Sequence, residues 1–166
     1  PSHEQYKRDG SLAQKLRKGE LPELGFVLWG VYAIPWGDIK NPEQLNNLVS
    51  QAESGVALAR ELAIPEYLHE SLVVQGYVQA LKALWELRSL VKPEGIAQTD
   101  KETARSYFRM YVAGLTQSRN ELPKWEFTLP MRPADEHLVE EKPVTLLNEM
   151  IKEMKTLAAD LEVSLE

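Results

Sequence analysis

The stretch that decides the fold is residues 65–92, PEYLHESLVVQGYVQALKALWELRSLVK. Its apolar residues recur at the three- and four-residue spacing of an α-helix. The main stripe consists of Leu68, Leu72, Val73, Tyr77, Leu81, Leu84, Trp85 and Leu87. Other apolar residues, from Val74 to Val91, widen this stripe until little of the helix circumference is polar. Because such a helix must be covered on several sides, we predict that it is the centre of the domain, about 40 Å long.

A second helix is predicted directly before this stretch. Residues 41–43, Asn-Pro-Glu, are a typical helix start, with a capping side chain, a first-turn proline and an early acid. The apolar seam that follows alternates steps of four and three residues: Leu45, Val49, Ala52, Val56, Ala59 and Ala63. The short connection before Pro65 predicts an antiparallel hairpin with the central helix. In that hairpin we expect Gly76 to lie opposite Ala52 and Gly55.

The first 40 residues predict two more helices. Ser11 can cap a short helix over residues 11–18, and Gly19 can end it. Residues 22–34 begin with a proline and are rich in large apolar side chains. They would also suit a buried strand, but the neighbouring helical signals favour a helix.

After the central helix, a helix is predicted for about residues 100–117, started by a capping box of Thr99 and Glu102. From residue 118 to residue 142 the helical pattern stops. Three prolines there argue against a regular helix: Pro123, Pro130 and Pro133. Four large side chains alternate at a period of two: Trp125, Phe127, Leu129 and Met131. This pattern predicts an ordered, extended arm with one apolar edge.

The last helix begins at Pro143 and carries a heptad-like seam. The seam residues are Val144, Leu147, Ile151, Met154, Ala158, Leu161 and Leu165. We therefore predict an all-α fold, a single-domain bundle of five or six helices over residues 1–166. It would consist of a helical core (1–117), a long proline-interrupted extended arm (118–142) and a C-terminal amphipathic helix (143–166).

Composition sets further bounds. The chain of 166 residues has 43% hydrophobic and 27% charged residues, values that are ordinary for a soluble globular domain. It contains no cysteine, which excludes disulfides and thiolate sites and fits a cytoplasmic location. The longest uncharged run, residues 24–37, is too short to span a bilayer, so we expect no membrane insertion. The net charge of −6 lies in residues 135–166, whereas residues 1–134 are neutral overall.

Sequence motifs for catalysis or metal binding are weak. Glu66 and His69 have the spacing of one half of a di-iron carboxylate site, but that chemistry needs the motif twice, and the sequence has no second copy. Asp135, Glu136 and His137 form an acid–base cluster that fits a solvated linker better than a site for proton transfer. We predict no catalytic residues, no metal and no cofactor, and an enzyme is the least favoured class.

A basic stripe offers one binding hypothesis. Lys101, Arg105 and Arg109 lie four residues apart on a predicted helix, and Arg119 follows. Their spacing of about 6 Å along the helix axis suits a sugar–phosphate backbone. Tyr107 could stack on a base beside them. The alternative is an ordinary solvated helix face.

The C-terminal seam and the arm offer the other hypothesis, contact with a protein partner or with a second copy. The residues predicted to form that interface are Trp125, Phe127, Leu147, Ile151, Met154 and Leu161. The same seam could instead pack inside this chain. We predict a non-enzymatic helical interaction protein, an oligomeric subunit or adaptor of a larger assembly. The alternative is a small helical subunit of a ribonucleoprotein or DNA-targeting complex that binds the nucleic-acid backbone.

Overall fold

The structure is a computed structural model that describes Leu16, residues 41–128 and residues 141–166, with backbone only for residues 125–128, 141–143 and 146. This part of the chain forms four α-helices and one 3-10 turn. They are α1 (Pro42–Leu62), α2 (Pro65–Leu90), the 3-10 turn Gln98–Asp100, α3 (Lys101–Thr128) and α4 (Glu141–Asp160). These residues contain no β-strand, so the all-α prediction is confirmed. The helices predicted for residues 11–18 and 22–34 lie outside the described residues, apart from Leu16, which is helical and fully buried.

The central helix is α2, as the sequence predicted. It packs against α1 on one side and α3 on another, and α4 packs against α3. Its buried residues lie on several sides of the helix: Val73, Gly76, Tyr77, Val78, Ala80, Leu81, Ala83, Leu84 and Leu87. None of the described helices combines the length and the apolar character that crossing a membrane requires.

The predicted hairpin of α1 and α2 is confirmed. The Asn41 side chain accepts a hydrogen bond from the Gln44 amide at 3.0 Å and caps α1, and Pro42 occupies the first turn. The helices run antiparallel, because Asn46 near the start of α1 accepts a hydrogen bond from Lys82 near the end of α2, at 2.9 Å. In this antiparallel hairpin the apolar face of α1 lies along α2.

The predicted position of Gly76 is wrong. Gly76 faces α3, where a Cβ atom would collide with the Gly114 carbonyl oxygen. A Cβ atom at Gly114 would in turn lie 2.5 Å from the Gly76 carbonyl oxygen. Ser118 adds a hydrogen bond at this crossing, from its hydroxyl to the Val73 carbonyl at 2.7 Å. The two glycines therefore let α2 and α3 approach backbone to backbone, and α1 plays no part in this contact.

The predicted arm is wrong over residues 118–128, where α3 continues as a helix through Pro123 to Thr128. The physical reason is that its buried positions continue at helical spacing: Phe108, Tyr111, Leu115, Ser118 and Leu122. Pro123 lies on the exposed side, so its ring does not disturb the core. Residues 129–140, with Leu129 and Met131, lie outside the described residues, and α4 begins at Glu141.

Candidate interaction surfaces

The basic stripe of Lys101, Arg105 and Arg109 lies on α3, as predicted, and Arg119, which was predicted to follow the helix, lies on α3 as well. Acceptors from the same chain meet these cations. Lys101 Nζ lies 3.5 Å from a carboxylate oxygen of Glu162, in the segment after α4. Arg105 Nη1 lies 3.0 Å from a carboxylate oxygen of Glu102, one turn earlier on α3.

Arg109 and Arg119 connect α3 to the C-terminal part of the chain. Arg109 donates from Nε and Nη2 to the main-chain oxygens of Leu165 and Glu166, at 3.2 and 2.9 Å. Arg119 donates from Nη1 to the side-chain oxygen of Asn148 on α4, at 3.0 Å. The stripe therefore runs along the edge where α3 meets α4 and the segment that follows α4.

These contacts limit what the stripe can do without rearrangement. An anionic backbone would have to replace the present acceptors of Lys101 and Arg109. The Lys101–Glu162 pair, in which Glu162 is largely exposed, contributes only about 0–1 kcal/mol, so this exchange is energetically accessible. The hydrogen bonds of Arg109 have a charged donor and contribute about 1.5–3 kcal/mol each, so their exchange costs more. The four basic residues lie together along one edge of α3. Their role as a nucleic-acid-binding site stays a prediction.

Four of the six residues predicted to meet a partner belong to the C-terminal part of the chain, and all four are buried within it: Leu147, Ile151, Met154 and Leu161. They belong to the same core cluster as Phe108 and Leu115 of α3. The seam therefore packs inside this chain, which was the alternative to a partner interface. A partner could meet these residues only if α4 separated from α3.

The other two predicted interface residues, Trp125 and Phe127, are in the last turns of α3. Their side chains lie outside the described residues. Their backbone is helical, so they do not belong to an extended arm.

A polar contact that sequence analysis missed links α2 to α3. His69 Nδ1 and Glu121 Oε2 lie 2.8 Å apart, and Lys124 Nζ lies 3.5 Å from the other oxygen of Glu121. Within the described residues no group of three or more potential metal ligands occurs, so Glu66 and His69 are not part of a metal cluster there. The sequence predicted that Glu121 lies in an extended arm, so the contact between His69 and Glu121 was not predicted.

An apolar surface at the end of the hairpin is the second feature that sequence analysis missed. Among the described residues, the exposed large apolar side chains are Leu58 (54% exposed), Leu62 (52%) and Tyr67 (53%). Leu58 and Leu62 are neighbours one turn apart on α1. Tyr67 lies in the first turn of α2, just across the two-residue connection.

The exposed leucines belong to a second stripe on α1, rotated by about 100° from the buried seam. The stripe consists of Leu48, Gln51, Gly55, Leu58 and Leu62. Leu48 packs against the core cluster and Gly55 faces Ser71 of α2, so we define the outer face of α1 as the exposed members, Gln51, Leu58 and Leu62. The steps of three and four residues along the stripe follow the same period as the buried seam. That spacing is the signal by which the sequence could have revealed it.

An open cleft of about 590 Å³ lies at the end of α4, lined by Lys155, Ala159, Glu162, Val163, Ser164, Leu165 and Glu166. Its hydroxyl, on Ser164, accepts a hydrogen bond from the Glu166 amide at 3.3 Å. The other ionisable side chains of the lining are those of Lys155, Glu162 and Glu166.

No protein-family model, curated protein or solved structure that was compared with the chain matches it.

Proposed function

We propose that this chain is a non-enzymatic interaction protein, a subunit or adaptor of a larger assembly, which binds its partner through the outer face of α1 and the adjacent Tyr67. The observation that carries the proposal is the exposure of Leu58, Leu62 and Tyr67 within ten residues of each other in sequence. Single exposed apolar residues are ordinary, whereas large contiguous apolar patches are typical of binding surfaces.

The contrast with the rest of the bundle supports this proposal. The large apolar residues of α4 that were predicted to meet a partner, such as Leu147 and Met154, are buried in the chain's own core. Leu58 and Leu62 lie on a helix that packs against α2, and the buried residues of that helix, including Leu45 and Val56, lie on a different side from the two leucines. Covering the exposed leucines would add about 25 cal/mol for each Å² of apolar surface removed from water.

The test compares the proteins that copurify with the full chain and with the variant Leu58→Ser/Leu62→Ser from the native source. Surface substitutions of this kind change stability by about 0.5 kcal/mol or less, so the variant should fold normally. A matched control is Glu53→Ser/Arg60→Ser, on the other side of the same helix. The proposal expects a partner that the wild type and the control retain and the leucine variant loses. Identical partners for all three would contradict it.

The second candidate is binding to a nucleic-acid backbone, and the observation that favours it is the alignment of four cations along one edge of α3. In this case Lys101→Ala, Arg105→Ala and Arg109→Ala should each weaken binding and lower the salt slope by about one. Because phosphate contacts release counterions, binding should weaken as salt rises. Unchanged binding to generic single strands by the triple variant would remove this candidate.

A further inference from the structure

We propose that residues 162–166, which follow α4, are an autoinhibitory strap. The strap occupies Lys101 and Arg109, two cations of the basic stripe, and gives way when a sugar–phosphate backbone binds there. This inference rests on the second proposed function, binding of a nucleic-acid backbone by the stripe, and adds a regulatory contact to it. It is supported by the acceptors that the strap offers, by the turn that directs it along α3, and by its exposure.

The strap offers oxygen acceptors to the stripe in the places where phosphates would have to bind. A carboxylate oxygen of Glu162 lies 3.5 Å from Lys101 Nζ. About two turns further along α3, Arg109 donates to the main-chain oxygens of Leu165 and Glu166, at 3.2 and 2.9 Å. The strap therefore runs in the same direction as α3, and an anionic backbone on this edge competes with it for the same donors.

A turn at the end of α4 sets the direction of the strap. The Val163 amide donates to the Ala158 carbonyl at 2.8 Å, and the Glu162 amide donates to the Ala159 carbonyl at 3.0 Å. Glu162 has a φ of 59°, so the turn is a Schellman motif with its left-handed residue at Glu162. Val163 is buried and anchors the turn in the core. The strap therefore leaves α4 towards α3 and does not point into solvent.

The strap is held loosely enough to be displaced. The Glu162 side chain is 84% exposed, and Ser164 and Glu166 are exposed as well. Salt screens an ion pair with so exposed a carboxylate, and such a pair contributes little. The hydrogen bonds of Arg109 are stronger, but their acceptors are uncharged carbonyls. Because phosphate oxygens are charged and make stronger hydrogen bonds to an arginine, a sugar–phosphate backbone can replace these carbonyls.

The substitution Glu162→Gly tests the inhibition in the full chain, because it removes the carboxylate and keeps the turn. Glycine is the usual residue at this position of a Schellman motif, so thermal unfolding should show that the fold is retained. We expect the variant to bind single-stranded oligothymidylate more tightly than the wild type at low salt, by up to about fivefold, as the loss of one exposed ion pair implies.

The matched control is Asp160→Asn, which removes one negative charge from an exposed position two residues earlier. Its affinity for oligothymidylate should stay close to that of the wild type. Equal binding by the wild type and Glu162→Gly would overturn the inference. An equal gain in Asp160→Asn would also overturn it, because the gain would then reflect net charge alone.

A nitroxide spin label can follow the movement of the strap directly. The chain has no cysteine, so Ser164→Cys provides a single attachment site on an exposed residue of the strap. We expect the label to become more mobile when oligothymidylate binds. A label on Ser89→Cys, at an exposed position near the end of α2, should not change. Unchanged or reduced mobility at position 164 on binding would overturn the inference.

The outcomes separate this inference from the function on which it rests. Oligothymidylate binding that is lost in Lys101→Ala/Arg105→Ala/Arg109→Ala but is equal in the wild type and Glu162→Gly would refute the strap and support the nucleic-acid site. If neither the wild type nor Glu162→Gly binds oligothymidylate, both proposals fail. Neither result bears on the proposed binding through α1.

Discussion

At the scale of single residues, Gly76 of α2 and Gly114 of α3 let the backbones of these two helices cross closely. Gly76→Ala places a methyl group against the Gly114 carbonyl oxygen, which belongs to a helix backbone and cannot move aside alone. Overpacking of this kind typically costs about 1–3 kcal/mol, which outweighs the gain in helix propensity of up to about 1 kcal/mol. We expect a net loss of stability in urea unfolding.

The matched control for this substitution is Gly55→Ala at low protein concentration. The new methyl group makes only an ordinary contact there, so stability should rise by up to about 1 kcal/mol. If Gly76→Ala and Gly55→Ala shifted stability in the same direction, the close crossing of α2 and α3 would be wrong.

Glu70, in the second turn of α2, shows how a partly buried carboxylate affects stability. Burial raises the pKa of its carboxyl above the ordinary value of 4.5, because desolvation disfavours the charged form. The folded state therefore binds this proton more tightly than the unfolded state. The resulting stabilisation is present below pH 4.5 and is lost as the pH rises through the raised pKa.

From this shift we predict that Glu70→Gln is more stable than the wild type at neutral pH, where the wild type keeps a partly desolvated charge. The advantage should disappear below about pH 4, where the wild-type carboxyl is also neutral. Thermal unfolding over a pH series measures this difference. Glu61→Gln, an exposed position on α1, controls for the change in net charge. An advantage for Glu70→Gln that stays constant from pH 3 to pH 7 would refute the assignment.

At the scale of elements, α3 accommodates Pro123 at an exposed position. A proline inside a helix removes one backbone hydrogen bond and strains the preceding turn, at a cost of about 3 kcal/mol. Pro123→Ala should therefore raise the free energy of unfolding, by up to that amount, and leave the helical circular dichroism nearly unchanged, because residues 118–128 are already helical. In an extended arm the alanine would relieve no helix strain, so an unchanged free energy of unfolding in urea would restore the arm that the sequence predicted.

The elements also show why the sequence predicted some of the fold and not the rest. Residues 65–92 are apolar on nearly every side, so their central position follows from their own pattern. The helix that Gly76 contacts does not follow from the sequence pattern, because a glycine has no side chain to indicate which face of its helix is buried. The length of α3 was missed because the prolines received more weight than the buried spacing of Ser118 and Leu122.

The candidate surfaces were predicted less well than the fold, for a related physical reason. The apolar seam of α4 is equally suited to its own core and to a partner, and only tertiary packing decides between them. The outer face of α1 was present as a second stripe of leucines. The sequence does not show which of the two stripes is exposed. The structure does, because α2 covers the buried seam of α1 and leaves Leu58 and Leu62 exposed.

At the scale of the whole molecule, the uneven charge of the chain has a structural counterpart. Residues 135–166 hold the whole net charge of −6. After α4, the acidic side chain of Glu162 and the main-chain oxygens of Leu165 and Glu166 meet Lys101 and Arg109 of α3. Lys101 of the basic stripe therefore pairs with an acidic side chain of this region, whereas the outer face of α1 carries no charged residue. This contrast supports our proposal that the chain binds a partner through α1.

The most direct test of that assignment is photo-cross-linking of the full chain in its native source, with a photoreactive residue in place of Leu58. A chain with the same residue in place of Glu53, on the other side of α1, is the control. We predict that position 58 cross-links to another polypeptide, a partner or a second copy, and that position 53 does not. Cross-links from position 58 only to residues of its own chain, or none at all, would contradict the claim that the outer face of α1 is a binding surface.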